Sequence, residues 1–292
     1  MKFKLTLVGT LAVATLLTTS PSQAYTPTTN NLVLWLKTDT LSLSNGDPVS
    51  LWPDSSPAGN NATQSDTDRQ GTFAVSAING EPAVQFSDDN HQHDGDDDFL
   101  GVTRTTFPSG FTYVAVFSTL NTTTLKAYGG NAGNTIIGDH HPAVRNSFGV
   151  TGGKAEFNVY DESTASFHSL QSAASVADGK GHITIGTLAT TGPQNMNLYL
   201  DGLLVGSGTR TVLPAGLGFD RISGGYRDGT DTLDTFDGFI GEVLVYDRVL
   251  SATERQDAYE YLLATYALPE PSSALLLVAG AVMLWRRDRK KE

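Results

Sequence analysis

From Asn31 onward the chain is cut into short apolar runs, and clusters of Gly, Asn, Asp, Ser, Thr and Pro interrupt them every few residues. Runs of strand length lie at Leu32–Lys37, Val49–Trp52, Ala83–Phe86, Phe111–Ser118, His182–Leu188, Met196–Leu200, Leu203–Ser207 and Phe239–Tyr246. With 30 glycines and 12 prolines to supply turns, this spacing fits many strands joined tightly better than it fits long helices. In Phe111-Thr112-Tyr113-Val114-Ala115-Val116-Phe117 apolar residues occupy both parities, the pattern of a strand buried on both faces, so it is placed in the middle of a sheet. The stretch Asn197-Leu198-Tyr199-Leu200-Asp201-Gly202-Leu203-Leu204-Val205 reads as two strands across an Asp-Gly turn. The expected class is all-β, a sandwich or barrel.

One helix stands out. Ser251 followed three residues later by Glu254 forms a capping box, and Ala258, Tyr261, Leu262, Thr265 and Tyr266 then recur on one face. Leu268-Pro269 follows at once, so the globular part ends near Ala267. The sequence has no internal repeat and no linker that would split this body in two. It has no cysteine either, which rules out disulfides, thiolate metal sites and a cysteine nucleophile. Stability must come from packing, and 39% hydrophobic residues in a 292-residue chain allow a sizeable core.

The formal net charge is −12. Lys2 and Lys4 contribute +2 and the C-terminal cluster a net +3, so the body without them stands at about −17. That sign excludes nucleic acid as the expected partner, because such binding is driven by Lys and Arg on phosphate. At the N-terminus the basic start, the apolar run Leu5 to Leu17 and the small-residue stretch ending Ser22-Gln23-Ala24 predict a secretory signal over residues 1–24, removed by signal peptidase. At the other end Pro269-Glu270-Pro271 precedes an apolar run from Ala274 to Trp285 and a basic cluster opening with Arg286 and Arg287. The 12-residue run spans only about 18 Å as a helix against a hydrocarbon core of about 30 Å, so it predicts a marginal, transient inner-membrane anchor. Basic residues after it stay cytoplasmic and leave the body outside.

These three C-terminal features, in this order over 269–292, resemble the PEP-CTERM sorting signal. The resemblance implies recognition by an exosortase-type membrane protease and delivery to the cell surface or extracellular matrix of a Gram-negative bacterium. A plain tail anchor would leave the Pro-Glu-Pro unexplained. The body resembles a second family. Leu34-Trp35-Leu36-Lys37, Trp52-Pro53-Asp54-Ser55-Ser56, Asn60-Asn61-Ala62-Thr63-Gln64 and Pro82-Ala83-Val84-Gln85-Phe86 are similar to the opening of bacterial LamG-type, concanavalin A-like lectin/glucanase domains. Asn197 to Gly202, Phe239-Ile240-Gly241-Glu242-Val243-Leu244-Val245-Tyr246-Asp247-Arg248 and Tyr261-Leu262 are similar to the family's hairpin, final strand and closing helix. Over 31–267 this implies a jelly-roll sandwich of two antiparallel sheets with a short C-terminal closing helix, separate from the hydrophobic sorting helix. It also implies a concave face of the kind that meets glycans or other proteins in related chains, so an extracellular polysaccharide or surface protein is the expected partner.

Candidate chemistry is sparse. The loop Asp88 to Asp98 carries Asp94, Asp96, Asp97 and Asp98, whose mutual repulsion Ca²⁺ would relieve; a solvated acidic loop accounts for it as well and is the simpler reading. His91 and His93 share one side of an extended segment, but a Zn²⁺ site would need a third ligand from Asp139-His140-His141. Glycoside hydrolysis needs two flanking carboxylates. Glu156, Asp161 and Glu162 come nearest, yet alternation sets the first two on opposite faces, so no catalytic residue is assigned and the expectation is a non-enzymatic binding protein. A polysaccharide-active enzyme and a purely structural matrix protein are the alternatives. Trp35 and Trp52, flanked by leucines and proline, are expected in the core, whereas Tyr128, Tyr160 and Tyr226 lie beside Gly or Asp and are the candidate platforms for a sugar ring.

Overall fold

The computed structural model describes residues 25–87, 97–122, 126–127, 130–131, 134–139, 146–161, 166–189, 195–210, 216–225 and 235–268. The signal and sorting segments, with Pro269, Glu270, Pro271, Arg286 and Arg287, lie outside these residues, as do Asp94, Asp96, Tyr128 and Tyr226. In chain order the strands are β1 (Leu32–Lys37), β2 (Leu51–Trp52), β3 (Ala62–Thr63), β4 (Thr72–Ile78), β5 (Glu81–Phe86) and β6 (Leu100–Thr106). Then come β7 (Gly110–Ser118), β8 (Lys126–Ala127), β9 (Gly130–Asn131), β10 (Thr135–Gly138), β11 (Asn146–Thr151) and β12 (Lys154–Asp161). The last are β13 (Ser166–Gln171), β14 (His182–Ala189), β15 (Met196–Leu200), β16 (Leu203–Gly208), β17 (Gly218–Ile222) and β18 (Gly238–Tyr246), followed by the helix α1 (Ala252–Thr265).

All nine residues of β7 are buried, and the strand sits between β14 and β18, as its two apolar faces require. Around it the first sheet runs β16-β15-β14-β7-β18-β5-β4, with β1 also paired to β18. The second runs β13-β12-β11-β10-β17-β6-β3-β2. All pairings are antiparallel, so the all-β sandwich of two antiparallel sheets with one closing helix is what this chain folds into. Between the sheets the rings of Phe107, Phe111, Tyr113, Phe148, Phe157 and Phe219 pack with neighbouring centroids 4.5 to 6.3 Å apart. The one polar tip among them, the Tyr113 hydroxyl, donates to Asn146 Oδ1 at 2.9 Å, which is how a buried tyrosine avoids the cost of an unpaired group.

The first sheet has a second apolar side. Val114, Val116, Ile183, Ile185, Leu244 and Tyr246 point away from the sandwich interior and are covered by α1. Ser251 caps the helix, its Oγ accepting from Glu254 N–H while the Glu254 carboxylate accepts from Ser251 N–H, so the expected capping box forms. The buried face differs from the expected one: Ala258, Tyr259 and Leu262 are buried in the helix, and Tyr266 just beyond it, while Tyr261 is only half-buried. Tyr261 instead stands edge-on to Trp35 at 5.9 Å. Trp52 is in the core as expected, but Trp35 is half-buried, because alternation along β1 puts Leu34 and Leu36 in the interior and Trp35 on the outer face, where its Nε1 donates to the buried carboxylate of Glu242.

Candidate functional site

The turn expected at Asp201-Gly202 forms with φ of +48° and +79°, the two left-handed positions of a tight hairpin turn between β15 and β16. Gly202 is needed twice over, since a Cβ there would also lie 3.0 Å from the Tyr259 ring. Asp201 does more than turn the chain. Its Oδ1 accepts from Ile183 N–H at 2.9 Å and its Oδ2 meets His182 Nδ1 at 2.8 Å, which pins the start of β14 to the hairpin. On the other side of the imidazole, Nε2 lies 3.1 Å from Asp178 Oδ1. Asp178 caps its own turn by accepting from Lys180 N–H at 3.0 Å, and Gly179 between them takes φ +74°.

His182 thus sits between two carboxylates. Burial opposes its protonation, but the hydrogen bond and charge of Asp201, followed by those of Asp178, outweigh burial and raise its pKa above the ordinary histidine value. Burial likewise opposes ionisation of Asp178, yet the Lys180 backbone N–H, the Lys180 ammonium and His182 hold it at about 2. Both ring nitrogens are engaged with carboxylates, so neither is available as a base.

This group forms one wall of a cleft of about 460 Å³. Asn79, Asp178, Lys180 and Asp201 supply its polar rim, and Leu200, Leu203, Val205, Tyr259, Leu263 and Leu268 its apolar floor. Leu203 is 60% exposed although it belongs to a strand, so the floor lies open. Gly181 keeps the wall thin, because a Cβ there would come within 2.6 Å of both Leu268 and Ile78. Two fixed acceptors beside an apolar surface can take a ligand that has hydroxyls on its edge and C–H groups on its face.

The residues expected from sequence fall elsewhere. Tyr160 is half-buried on β12, on the outer side of the second sheet with Glu156 and Asn158, because Ala155, Phe157 and Val159 point into the core. Glu156 is 2% exposed, and burial, offset only in part by the side chains of Thr151, Ser169 and Gln171, raises its pKa to about 7. Its Oε1 has no hydrogen-bond partner among the described residues. Glu162 and the Asp161 side chain lie outside the described residues. Of the acidic loop, Asp97 is buried and Asp98 Oδ2 accepts from Ser87 N–H at 2.9 Å. Among the described residues no three His, Cys, Asp or Glu side chains converge as metal ligands. Asp139, offered as a partner for a Zn²⁺ site, is fully buried and held by Arg104 at 3.0 and 2.6 Å, so its carboxylate is committed to the guanidinium; His91, His93, His140 and His141 lie outside the described residues. The Asp178–His182–Asp201 group was missed in the sequence; its one local signal is the i, i+4 pairing of Asp178 with His182 at the mouth of a strand.

A family profile described as the concanavalin A-like lectin/glucanases superfamily matches residues 94–254. Among solved structures, the chain is similar to the binding domain of Paraclostridial Mosquitocidal Protein 1, with TM-score 0.53 and 12% identity over 79% of this chain and 52% of that one. It is similar to domain 4 of AbnA, an extracellular arabinanase from Geobacillus stearothermophilus, in complex with arabinotriose, with TM-score 0.53 and 13% identity over 78% and 97%. A third is botulinum neurotoxin type C, whose cell entry depends on interaction with two ganglioside molecules, with TM-score 0.53 and 16% identity over 80% and 52%. The chain spans about half the length of the two toxin chains. At these identities the likeness is one of fold. No curated protein matches the sequence.

Proposed function

The chain belongs to the concanavalin A-like lectin/glucanase superfamily, and from that premise we propose that it is a non-enzymatic carbohydrate-binding protein of the cell surface. A shared fold does not transmit function, so the reading rests on one observation: the Asp178–His182–Asp201 group standing over an open apolar floor. The cleft falls in the size range of small-ligand sites, roughly 300–1,000 Å³. Its carboxylates are fixed by their hydrogen bonds and would accept sugar hydroxyls without a metal, so the reading does not need Ca²⁺. The arabinotriose complex and the ganglioside dependence belong to the similar proteins, and they support a glycan as the ligand class here.

Export and surface sorting are part of the same proposal. They are supported by Lys2, Lys4 and the apolar run to Leu17 at one end, and by Pro269-Glu270-Pro271 with Arg286 and Arg287 at the other. Among the described residues no helix is long and apolar enough to cross a membrane. The test is binding of the purified chain to a broad glycan panel and to the matrix of the producing cell, with Leu203→Ala lowering affinity by roughly tenfold. Failure to bind any of these would sink the lectin reading and leave a structural matrix role.

One observation favours a second reading, a polysaccharide-active enzyme. Burial raises the pKa of Glu156 to about 7, so part of it keeps its proton at neutral pH, as a general acid requires. Release of reducing ends from a polysaccharide, lost in Glu156→Gln, would establish it; unchanged substrate would dismiss it.

A further inference from the structure

The cleft beside His182 has a neighbour. A second cleft of about 350 Å³ opens on the same outer side of the first sheet, lined by Gln85, Ser118, Leu120, Asn121, Asp237 and Phe239. The turn Asp178-Gly179-Lys180 stands between the two: Gly179 lines the second cleft, and its neighbours Asp178 and Lys180 line the first. Along β4 the same division holds, with Ala77 in one cleft and Asn79, just past the strand, in the other.

Resting on the carbohydrate-binding reading, we propose that the two clefts are one groove, and that its ligand is a linear oligosaccharide lying across the Asp178–Lys180 turn rather than a single sugar or a chain end. The divider is fixed. Its middle residue is Gly179, which has no side chain, and its N–H donates to Thr119 O at 3.0 Å, tying the divider to the far cleft. A Cβ on Gly179 would lie 3.2 Å from Leu120, so any larger residue there would crowd the Leu120 side chain that the groove uses.

The chemistry also repeats on the two sides. The first cleft sets Asp178 and Asp201 beside Leu203, which is 60% exposed. The second sets Asp237, accepting from Asn121 Nδ2 at 2.9 Å, beside Leu120, which is 75% exposed, and the Phe239 ring. Acceptor next to apolar patch, twice along one face, matches successive sugar units, each with hydroxyls at the edge and C–H groups on the ring. Each cleft is of the size that holds a small ligand, so the groove takes roughly four units.

The experiment is calorimetric titration of the full chain with arabino-, cello- and xylo-oligosaccharide ladders from two to eight units. Affinity for the ladder that binds rises at least tenfold from two units to about four and then levels. Leu120→Ala flattens that rise, whereas Leu203→Ala lowers affinity at every length; both leucines are exposed, and unchanged melting temperatures verify the fold. Affinity that is flat in chain length, or a length dependence untouched by Leu120→Ala, overturns the groove while leaving the single cleft in place. No binding by any ladder or by the glycan panel removes the carbohydrate reading and the groove with it.

Discussion

Replacing Glu242 by glutamine makes the protein more stable at pH 8 and leaves it unchanged at pH 4.5. Glu242 lies on β18 under the end of α1, 2% exposed, with Trp35 Nε1 donating to its Oε1. Burial raises its pKa from 4.5 to about 7, against the opposing effects of Trp35, Lys37 and Tyr261. Between those two values the folded state holds the proton and the unfolded state does not. The stability that this group contributes is therefore complete below pH 4.5 and lost as pH rises through 7. A shift of that size corresponds to about 3 kcal/mol. Glutamine keeps the acceptor for Trp35 and cannot ionise, so the variant gains about 3 kcal/mol over the parent by pH 8, or about 6 to 12 °C in melting temperature. Glu156 titrates in the same sense from 4.5 to about 7, and His182, with its raised pKa, also loses stabilisation as pH rises, so Glu242→Gln removes one part of the parent's fall in stability across this range and Glu156→Gln added to it removes a second part. Urea unfolding at half-unit steps from pH 4.5 to 8.5 measures it. Parallel curves for parent and Glu242→Gln between pH 5 and 8 would refute the claim that burial governs this carboxyl.

Arg104→Met leaves the fully buried Asp139 carboxylate without its guanidinium, which costs about 3 to 5 kcal/mol in urea unfolding; Asp139→Asn added to it restores part of the loss. Ser251→Ala removes the cap of α1 and costs about 1 kcal/mol by the same measurement.

What was legible in the sequence was whatever local chemistry decides. The parity of Phe111 to Phe117, the Asp201-Gly202 turn and the Ser251/Glu254 box each specify a structure within a few residues, and each formed. The strands β10 to β13 were not read, although Ala155, Phe157 and Val159 alternate cleanly into the core. The outer residues of β12, Glu156, Asn158 and Tyr160, break the apolar run, and Glu156 and Tyr160 read as candidate chemistry instead. Tyr261 was set on the buried helical face by spacing alone, but Glu242 and Trp35 hold it at the helix flank. The cleft was illegible for a different reason. Asp178 reaches His182 from four residues away, but Asp201 is brought to it only by the β14–β15 pairing, and no spacing rule joins a turn residue to an imidazole 19 positions earlier.

The position of the clefts follows from a mismatch of lengths. The outer side of the first sheet is apolar at its centre, through Val114, Val116, Ile183 and Leu244, and something must cover it. The cover is α1, whose 14 residues reach about 21 Å. The seven-strand path it lies against is about 29 Å wide. In no orientation can the helix close the whole face. Leu268, packed on Ile78 and the Gly181 backbone just past the helix, marks where the cover runs out, and the cleft beside His182 opens there. At the uncovered margin the sheet carries Gln85, Ser118 and Phe239 where its centre carries valine, isoleucine and leucine, so the side chains change to polar and aromatic types where the helix ends.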